Sequence, residues 1–306
     1  MSLPKRVLSI IKEHDLWQEG QHVCIAVSGG VDSMVLLHAL HRTQRAHGGI
    51  LSVCTIDHQF RPEAAEECAR VIKEAEVLEL PVYHKRLDIP SGGNLYERAR
   101  EARQEALLSV GSDCIATGHH QADQAETILY RLLRGSGLQG LSGMRPKQGA
   151  WCRPLLHESK EAILSFATQE QLWWAEDPSN AKSLRGQLRA LFPLLDDVHG
   201  NAISSMAQSA QLLAKDSDML EAYTEQVWQD VMREEGICFS AWAALHEGMQ
   251  LRILKKLCLV HNIPIRQRIL SQFQRHPTKT QLPNGFGLCT EKGFIRLVFP
   301  PENHPK

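Results

Sequence analysis

The sequence predicts an α/β fold: a mostly parallel sheet in the first part of the chain, then a helical spacer and a small α+β domain. Four short apolar runs, HVCIAV, ILSVCTI, VYHKRL and DCIATG, alternate with longer helix-like stretches. This alternation is typical of βαβ units, whose helices cover both faces of a parallel sheet. Ligands of such sheets bind at the carboxyl ends of the strands. The segments to inspect are therefore 28–33, 57–61, 88–94 and 117–127.

The second part of the chain loses the strand rhythm. Helical spacing is predicted near 158–171, over a long acidic stretch at 201–235, and again at 243–261. The end, TQLPNGFGLCTEKGFIRLVF, predicts short strands joined by Asn-Gly and Lys-Gly turns. A chain of 306 residues suggests two domains. We place the α/β domain at 1–198 and the spacer with the C-terminal domain at 199–306.

The composition is typical of a soluble globular protein, with 43% hydrophobic and 23% charged residues. No run approaches the roughly 18 consecutive apolar residues of a membrane span, and MSLPKRVLSIIKEHD becomes polar too soon for a secretory signal. We therefore expect a cytoplasmic protein with no membrane partner. The 8 cysteines include no CxxC pair, which favours reduced, buried thiols over a zinc site.

Charge is distributed unevenly, although the formal net charge is only −1. Residues 246–296 carry nine Lys and Arg against two Glu, whereas residues 196–235 carry nine Asp and Glu against two basic residues. Two interpretations stay open at this point. The charges form two solvated faces, or a basic C-terminal module binds phosphate beside an acidic helical spacer.

The most informative run is VCIAVSGGVDSMVLLHAL, a strand that passes through Ser28-Gly29-Gly30-Val31-Asp32-Ser33 directly into an apolar helix. We call these six residues the phosphate loop. Glycines let the backbone approach a ligand closely, and the first N–H groups of a helix attract anions. Asp32 would repel phosphate by itself but suits a ligand of bridging Mg²⁺. The alternative is a tight turn with a capping Ser or Asp.

The phosphate loop lacks the Lys-Ser/Thr of a Walker loop and the GxGxxG of a dinucleotide fold. It resembles the pyrophosphate loop (PP-loop) of the N-type ATP pyrophosphatases. Three further runs, DHQFRPE, TGHHQADQAET followed by LRGSGL, and EDPSN followed by two arginines, resemble the bacterial tRNA(Ile)-lysidine synthetase family. The resemblance is close over about residues 20–195 and loose beyond.

The resemblance implies an adenine nucleotide alpha hydrolase-like PP-loop ATPase domain and a C–N ligase activity. Such an enzyme uses ATP and Mg²⁺ to join L-lysine to C2 of the wobble cytidine of a tRNA(Ile) with a CAU anticodon. The tRNA is first adenylated with loss of pyrophosphate, and AMP then leaves. The chain departs from the family pattern at Ala64, Gln104, Gly186 and Gln121-Ala122, where one of two adjacent carboxylates is missing.

The resemblance also implies site residues. The ATP-binding residues would be Ser28, Gly29, Gly30, Val31, Asp32, Ser33, Asp57, His58, Arg61, Gly118 and His119, with Asp32 as the Mg²⁺ ligand. The catalytic residues would be Asp32, Arg100, Arg103, His120 and Arg185. For the histidines, capping or core packing is the competing interpretation. For Arg100 and Arg103, it is an ordinary surface ion-pair network.

Asp123 and Glu126 stand three residues apart, so on a helix they share a face and could receive a substrate ammonium. In the resembling family, these positions hold lysine. The tRNA-binding residues would be Arg134, Arg189, Lys255, Lys256, Arg266 and Arg268, because arginine and lysine bind phosphate. Trp173 and Trp174 could stack a base, but adjacent tryptophans more often include at least one core residue, so they are left out of the predicted site.

Two other functions stay open, as does a homodimer. The first is a tRNA thiolase on the same fold, which normally relies on cysteines near the site. The second is a catalytically decayed module that binds ATP and RNA, suggested by Ala122 and Gly186. Release of AMP in the presence of lysine and tRNA would separate the three.

Overall fold

The computed structural model describes residues 1–59, 63–87, 95–176, 184–264 and 267–300. Among these residues, no helix is both long and apolar enough to cross a membrane. The chain divides into two compact units, Met1–Ala214 and Lys215–Lys306, and the division falls within a single helix of 30 residues. The domain boundary between 198 and 199 stays a prediction.

The first unit is built on a six-stranded sheet. In chain order, its elements are α1 (Leu3–Glu13), β1 (His22–Ala26), α2 (Val31–His47), β2 (Ile50–Asp57), α3 (Glu63–Val77), β3 (Val82–Arg86), α4 (Leu95–Leu108), β4 (Cys114–Ala116), α5 (Gln121–Leu133), α6 (Leu138–Leu141), β5 (Lys147–Gln148), β6 (Trp151–Cys152), α7 (Lys160–Gln169), α8 (Leu184–Arg189), α9 (Phe192–Val198) and α10 (Ala202–Val231), which continues into the second unit.

The strand order is β3-β2-β1-β4-β6-β5, with parallel pairing except between β5 and β6. The chain runs outward from β1 to β2 and β3, then returns to place β4 on the other side of β1. The strand order therefore reverses between β1 and β4. In open α/β sheets, ligands bind in the crevice at such a reversal, outside the carboxyl ends of the strands. The phosphate loop and segment 117–127 both lie there.

Side-chain alternation in β1 divides the core of this unit. Val23, Ile25 and Val27 pack with residues of α1, α2, α3 and α7, whereas Cys24 and Ala26 pack on the other side with Leu107 of α4. Six of the eight cysteines of the chain are buried, which confirms the expected packed thiols for those six. Helices cover both faces of a buried sheet, as the sequence predicts.

The second unit has a five-stranded antiparallel sheet of order β7-β8-β11-β10-β9. Its elements after α10 are β7 (Met232–Arg233), β8 (Gly236–Cys238), α11 (Phe239–Ala243), α12 (Glu247–Val260), α13 (Gln267–Arg275), β9 (Lys279–Gln281), β10 (Gly287–Glu291) and β11 (Phe294–Val298). Its core includes Val227, Ile237 and Trp242 besides later residues. The unit therefore begins well before residue 243, and the basic run is only a part of it.

Both predicted turns near the end of the chain are confirmed. Asn284 and Gly285 have φ of 59° and 78°, and Lys292 and Gly293 have φ of 51° and 82°. Lys292-Gly293 is the two-residue loop between β10 and β11 and matches a type I′ turn, whereas Asn284-Gly285 lies in a longer loop between β9 and β10. The acidic helix, in contrast, was predicted too long, because the chain turns into the β7–β8 hairpin after Val231.

Candidate active site

The phosphate loop connects β1 to α2 in a shape that its serines and glycines fix. Gly29 has a φ of 84°, which glycine adopts at no steric cost, and no side chain caps α2 at Gly30. The Ser33 hydroxyl donates to the Gly30 carbonyl oxygen (2.8 Å) and accepts from the backbone N–H of Ser28 (3.2 Å). Ser33 therefore holds the loop, while the exposed Ser28 is available to a ligand.

Segment 172–176 supports the loop from outside. The backbone N–H of Ala175 donates to the Gly29 carbonyl oxygen (2.9 Å), and the Arg70 guanidinium lies over the Trp173 ring (5.0 Å). Trp173 and Trp174 are partly buried against the core. This packing agrees with the expectation that at least one of the two tryptophans belongs to the core.

Gly118, just after β4, lies directly against the phosphate loop. A Cβ atom at this position would stand 3.0 Å from the Asp32 carbonyl carbon and 3.1 Å from the Ser33 nitrogen, both backbone atoms. A Cβ atom here would be in tighter than ordinary contact with the backbone, so glycine favours the close approach of the end of β4 to the first turn of α2. The predicted ATP-binding position is thus one that shapes the loop.

We expect Gly118→Ala to weaken ATP binding by about tenfold, because forcing a methyl group against backbone costs about 1–3 kcal/mol and 1.4 kcal/mol is tenfold in affinity. Calorimetric titration with ATP measures the change. Gly200→Ala is the matched control, since no atom lies within 4 Å of a Cβ at that position. Equal ATP affinity in Gly118→Ala and the control would contradict the tight contact.

Asp32 projects from the first turn of α2 and has a close cationic partner. Lys160 Nζ donates to Asp32 Oδ1 at 2.6 Å, from the first residue of α7, whose N-cap is Ser159. The Asp32 side chain keeps 32% of its surface exposed. The sequence analysis missed Lys160. An accessible carboxylate at a helix N-terminus is a donor type that Mg²⁺ prefers, so Asp32 fits the predicted metal ligand.

His120 caps α5 and bridges two parts of the site. The ring atom Nδ1 of His120 accepts from the backbone N–H of Ala122 (3.2 Å). The backbone N–H of His120 donates to Asp123 Oδ2 (3.0 Å), and the two bonds form a capping box. With Nδ1 as acceptor, we assign the proton of the neutral ring to Nε2. That nitrogen stands 3.6 Å from both Asp32 Oδ1 and Asp123 Oδ2. The capping interpretation holds for His120.

Asp123 and Glu126, which we call the carboxylate pair, lie on the buried face of α5. Burial raises the pKa of Asp123, but His120 and His119 oppose it, so that the pKa stays below its usual value. Burial also raises the pKa of Glu126, only partly offset by its hydrogen bond from Arg189. Glu126 Oε2 is buried and finds no hydrogen-bond partner among the described residues.

Arginines of α8 neutralise the carboxylate pair. Arg189 Nε donates to Glu126 Oε1, and its NH2 lies 3.6 Å from Asp123 Oδ1. Arg185 NH1 stands 3.9 Å from the same Asp123 oxygen. The structure therefore brings together residues that the sequence analysis had divided among catalysis, lysine binding and tRNA binding.

Cations surround His119 on the other side of the crevice. Burial lowers the pKa of His119 to about 4. The positive charges of Arg153, Arg185 and Arg103 lower this pKa further, whereas the negative charge of Asp123 raises it. Its Nδ1 lies 2.9 Å from the Thr117 hydroxyl. Such a histidine is neutral at pH 7 and a weak base. We therefore associate His119 with hydrogen bonding rather than with proton transfer.

Arg103 and Arg153 give this region its positive charge. Arg103 has solvent-accessible surface, yet the surrounding protein and the nearby Arg185 lower its pKa. It makes no ion pair among the described residues. Arg153 was missed by the sequence analysis, although it directly follows β6. Its buried Nε has no hydrogen-bond partner in the described chain. An anion could supply the acceptor that the Nε atom of Arg153 lacks.

Asp57 and His58 lie at the end of β2, as predicted. The structure gives Asp57 a role in the turn that follows this strand. Asp57 Oδ1 accepts from the Gln59 N–H (2.9 Å), and Oδ2 stands 3.7 Å from Arg86 Nε. Asp57 thus shapes the turn that presents His58. Burial and Arg103 lower the pKa of His58, so that it too is neutral at pH 7. Their contact with ATP stays a prediction.

The remaining predicted residues have no described contact that joins them to this crevice, and their roles stay predictions. Arg100 is exposed on α4 with no partner in the described chain. Arg134 ends α5, about 16 Å along the helix axis from Asp123, and lies over the Tyr130 ring (5.5 Å). Arg61 and Arg266 lie outside the described residues. Arg268 is exposed on α13 of the second unit.

Lys255 and Lys256, two of the predicted tRNA-binding residues, are half-buried in the second unit, and their contact with tRNA stays a prediction. Lys256 donates to Glu225 of α10 and lies over the Trp228 ring (5.4 Å), with 22% of its side chain exposed. Burial lowers the pKa of Lys255, with Arg252 acting in the same direction and Glu221 opposing it. The acidic helix therefore neutralises part of the basic run within the second unit. Counting charges along the chain could not reveal this compensation.

Comparisons with known proteins agree with this geometry. A family model described as a PP-loop domain matches residues 2–195. The chain is 36% identical over 231 residues to the tRNA(Ile)-lysidine synthase of Pseudomonas fluorescens (72% of this chain, 52% of the relative) and 38% identical over 213 residues to that of an Azoarcus species (65% and 47%). It thus spans about half the length of these relatives.

One further relative is matched over more of its own length, and one solved structure has a similar fold. Identity with the tRNA(Ile)-lysidine synthase of Novosphingobium aromaticivorans is 33% over 258 residues, covering 78% of this chain and 75% of the relative. The U34-tRNA thiolase NcsA of Methanococcus maripaludis has a similar fold, with a TM-score of 0.57, 17% identity, and coverage of 70% of this chain and 79% of the thiolase. From its phosphate loop and these matches, the chain belongs to the PP-loop family and, within it, to the family of the tRNA(Ile)-lysidine synthases.

Proposed function

We propose that this protein uses ATP to join L-lysine to C2 of the wobble cytidine of a tRNA(Ile) with a CAU anticodon, forming lysidine. The observation that carries the proposal is the position of the carboxylate pair beside the phosphate loop. One histidine side chain, His120, lies 3.6 Å from both Asp32 and Asp123. A site for an ammonium group thus adjoins a site for phosphate, which a lysine-ligating enzyme requires.

The proposed reaction has two balanced steps. The cytidine C2 oxygen attacks the α-phosphorus of ATP, and pyrophosphate leaves. The lysine ε-amine then attacks C2, and AMP leaves with the former C2 oxygen. A cytosine must leave the base stack to reach the phosphate loop, and an anticodon loop permits this because its bases are unpaired.

The residues of the chain would act mainly by positioning and by charge. Ser28 and the open N-terminus of α2 would bind phosphate, while Arg103 and Arg153 supply positive charge where pyrophosphate is released. Bound Mg²⁺, held by Asp32, would neutralise charge that develops on the phosphates. Lys160 donates to Oδ1 of Asp32, so Oδ2 of the same carboxylate would be the oxygen open to Mg²⁺.

The amine needs to lose a proton before it attacks. Glu126 is better suited to accept this proton than His119, because burial raises the pKa of Glu126 whereas the pKa of His119 is about 4. Asp123 keeps a lowered pKa and would hold the ammonium by charge. The pair thus divides into one carboxylate that stays ionised and one that can take a proton.

The thiolase alternative is less well supported by the placement of the cysteines. Six are buried in the cores, and the two half-buried ones, Cys238 and Cys289, lie in the second unit. Among the described residues, no group of three or more potential ligands could hold a metal ion. A decayed module is opposed by the retained phosphate loop and carboxylate pair.

Mass analysis of the tRNA tests the proposal. The purified protein is incubated with ATP, Mg²⁺, L-lysine and a transcript of tRNA(Ile) with the CAU anticodon. A mass increase of one lysine residue on the anticodon fragment, with AMP released in equal amount, is expected. A transcript with uridine at the wobble position is the control. An unmodified cytidine, or modification that needs a sulfur donor instead of lysine, would overturn it.

The second unit offers a separate prediction about tRNA binding. If Arg268 contacts a tRNA phosphate, Arg268→Ala should reduce the slope of log affinity against log salt by about 0.7–0.9, without loss of thermal stability. Lys256→Ala should instead lower the melting temperature, because it breaks the contacts with Glu225 and Trp228. Filter binding over a salt series and thermal melts measure the two effects. An unchanged slope in Arg268→Ala would show that Arg268 contacts solvent and not a tRNA phosphate.

A further inference from the structure

The substrate ammonium site of the proposed function already contains a cation from the chain itself. Arg189 reaches from the last residue of α8 to the carboxylate pair on α5 and contacts both members. Glu126 is 1% exposed and the Asp123 side chain 12%, whereas the Arg189 side chain keeps 48% of its surface exposed. A half-exposed guanidinium thus covers two buried carboxylates.

Arg189 does not satisfy the pair completely. It donates to Glu126 Oε1, but the buried Oε2 atom has no hydrogen-bond partner among the described residues. A buried carboxylate oxygen without a donor loses its hydration and gains no hydrogen bond in return. An ammonium group carries three donors on a compact centre and can donate to both carboxylates from one position. The pair is therefore better matched to an ammonium than to the guanidinium that occupies it.

Arg189 can leave at moderate cost. Its guanidinium is half exposed to solvent, so its charge would be hydrated after release. Asp32 adds to the negative field at Arg189. Bound phosphates beside Asp32 would strengthen the negative charge on that side. The guanidinium therefore has a second anionic environment next to the phosphate loop.

We infer that Arg189 is an internal substitute for the substrate ammonium, so that it sets the affinity of the carboxylate pair for lysine. This inference rests on the proposed function. Lysine binding displaces Arg189, and the free site is protected from other small cations while no substrate is present. The apparent dissociation constant equals the intrinsic one divided by the fraction of protein whose site is free. If the site is free in about one molecule in ten, removing the competitor tightens binding about tenfold.

Arg189→Gln tests this inference in the full chain. The variant keeps a polar side chain but removes the charge, and calorimetric titration with L-lysine at pH 8 compares it with the wild type. An alkaline pH is chosen because burial raises the pKa of Glu126 and loss of Arg189 would raise it further, and the carboxylate form is the one that binds an ammonium. We expect the variant to bind L-lysine about tenfold more tightly. Equal or weaker binding by the folded variant would overturn the inference.

Two controls separate competition from other effects. Arg45→Gln removes one exposed positive charge at the other end of α2 and should leave lysine affinity unchanged. L-norleucine, which has the chain length of lysine without the ammonium, should gain nothing from Arg189→Gln. A comparable gain for L-norleucine would overturn the inference, because competition would then not concern the carboxylates. Arg189→Lys, which keeps a cation in reach, should stay closer to the wild type than to Arg189→Gln.

The same titrations distinguish this inference from the proposed function. If L-lysine binds wild type and Arg189→Gln equally while tRNA is modified, lysine ligation stands and the role of Arg189 fails. If the wild type binds no L-lysine but Arg189→Gln takes up L-arginine more tightly than the wild type does, the internal occupancy stands and lysine is the wrong substrate. If neither protein binds a cationic amino acid, both fail.

Discussion

Asp32→Asn is expected to lower turnover on tRNA by about a thousandfold while changing tRNA affinity by less than about twofold. The amide keeps the size of the side chain and can still accept from Lys160, but it loses the charge that would hold Mg²⁺. Metal ions supply several kcal/mol of charge stabilisation in phosphoryl chemistry, and each 1.36 kcal/mol is about tenfold in rate. Among the residues that the structure describes, the side chain of Asp32 pairs with Lys160 and is approached by His120.

Single-turnover AMP release and filter binding of tRNA measure the two quantities. Asp216→Asn, an exposed change of the same chemistry on α10, is the control for the loss of one negative charge. Raising the Mg²⁺ concentration should partly restore turnover in Asp32→Asn but leave the control unaffected. A parallel loss of tRNA affinity and turnover would place Asp32 in RNA binding instead of metal binding.

The parts of the fold that the sequence predicts are those fixed by local pattern. The strands around Ile25, Val53 and Ile115 are continuous apolar runs because both faces of the sheet are buried, and such runs are visible without partners. The phosphate loop combines a strand end, two glycines and a helix start in consecutive residues. Each of these signals is local, so the prediction needed no long-range information.

Elements held by distant partners were not predicted. Ser28 and Gly118 were found because each follows a strand that the sequence predicts. β6 has only two residues and is defined by its pairing with β4, so the sequence did not predict it. Arg153, which follows β6, was therefore not found. Lys160 starts a helix that the sequence does predict, but its contact with Asp32 spans 128 positions of the chain. No period or spacing in a sequence reports such a pair.

The charged residues show the same limit. The i, i+3 spacing correctly predicts that Asp123 and Glu126 share a helix face, yet it gives no sign that Arg189 covers them. Counting charges separated an acidic helix from a basic run, but Lys256 pairs with Glu225 across that division. Opposite charges that stand apart in sequence neutralise each other in the fold, so local net charge overestimates the surface free for phosphate.

Glu126→Gln is expected to raise the KM for L-lysine by about thirtyfold or more and to leave the KM for ATP within about twofold. The amide is nearly isosteric, so the change removes charge and one acceptor without opening a cavity. A buried hydrogen bond between charged groups contributes about 1.5–3 kcal/mol, and 2 kcal/mol corresponds to about thirtyfold. Asp123→Asn should act in the same direction and should also weaken the capping box at His120.

The distinction between the two carboxylates follows from their pKa directions. Because burial raises the pKa of Glu126 while the neighbouring histidines lower that of Asp123, Glu126 is the member that takes up a proton first as the pH falls. Lysine affinity in the wild type should therefore decrease on the acidic side, and Glu126→Gln should remove most of this decrease. Steady-state kinetics over a pH series that runs from alkaline to acidic pH measure the decrease, with the exposed Glu76→Gln as control. A selective rise in the KM for ATP would instead assign the carboxylate pair to the nucleotide site, and lysine would need a different anion to bind it.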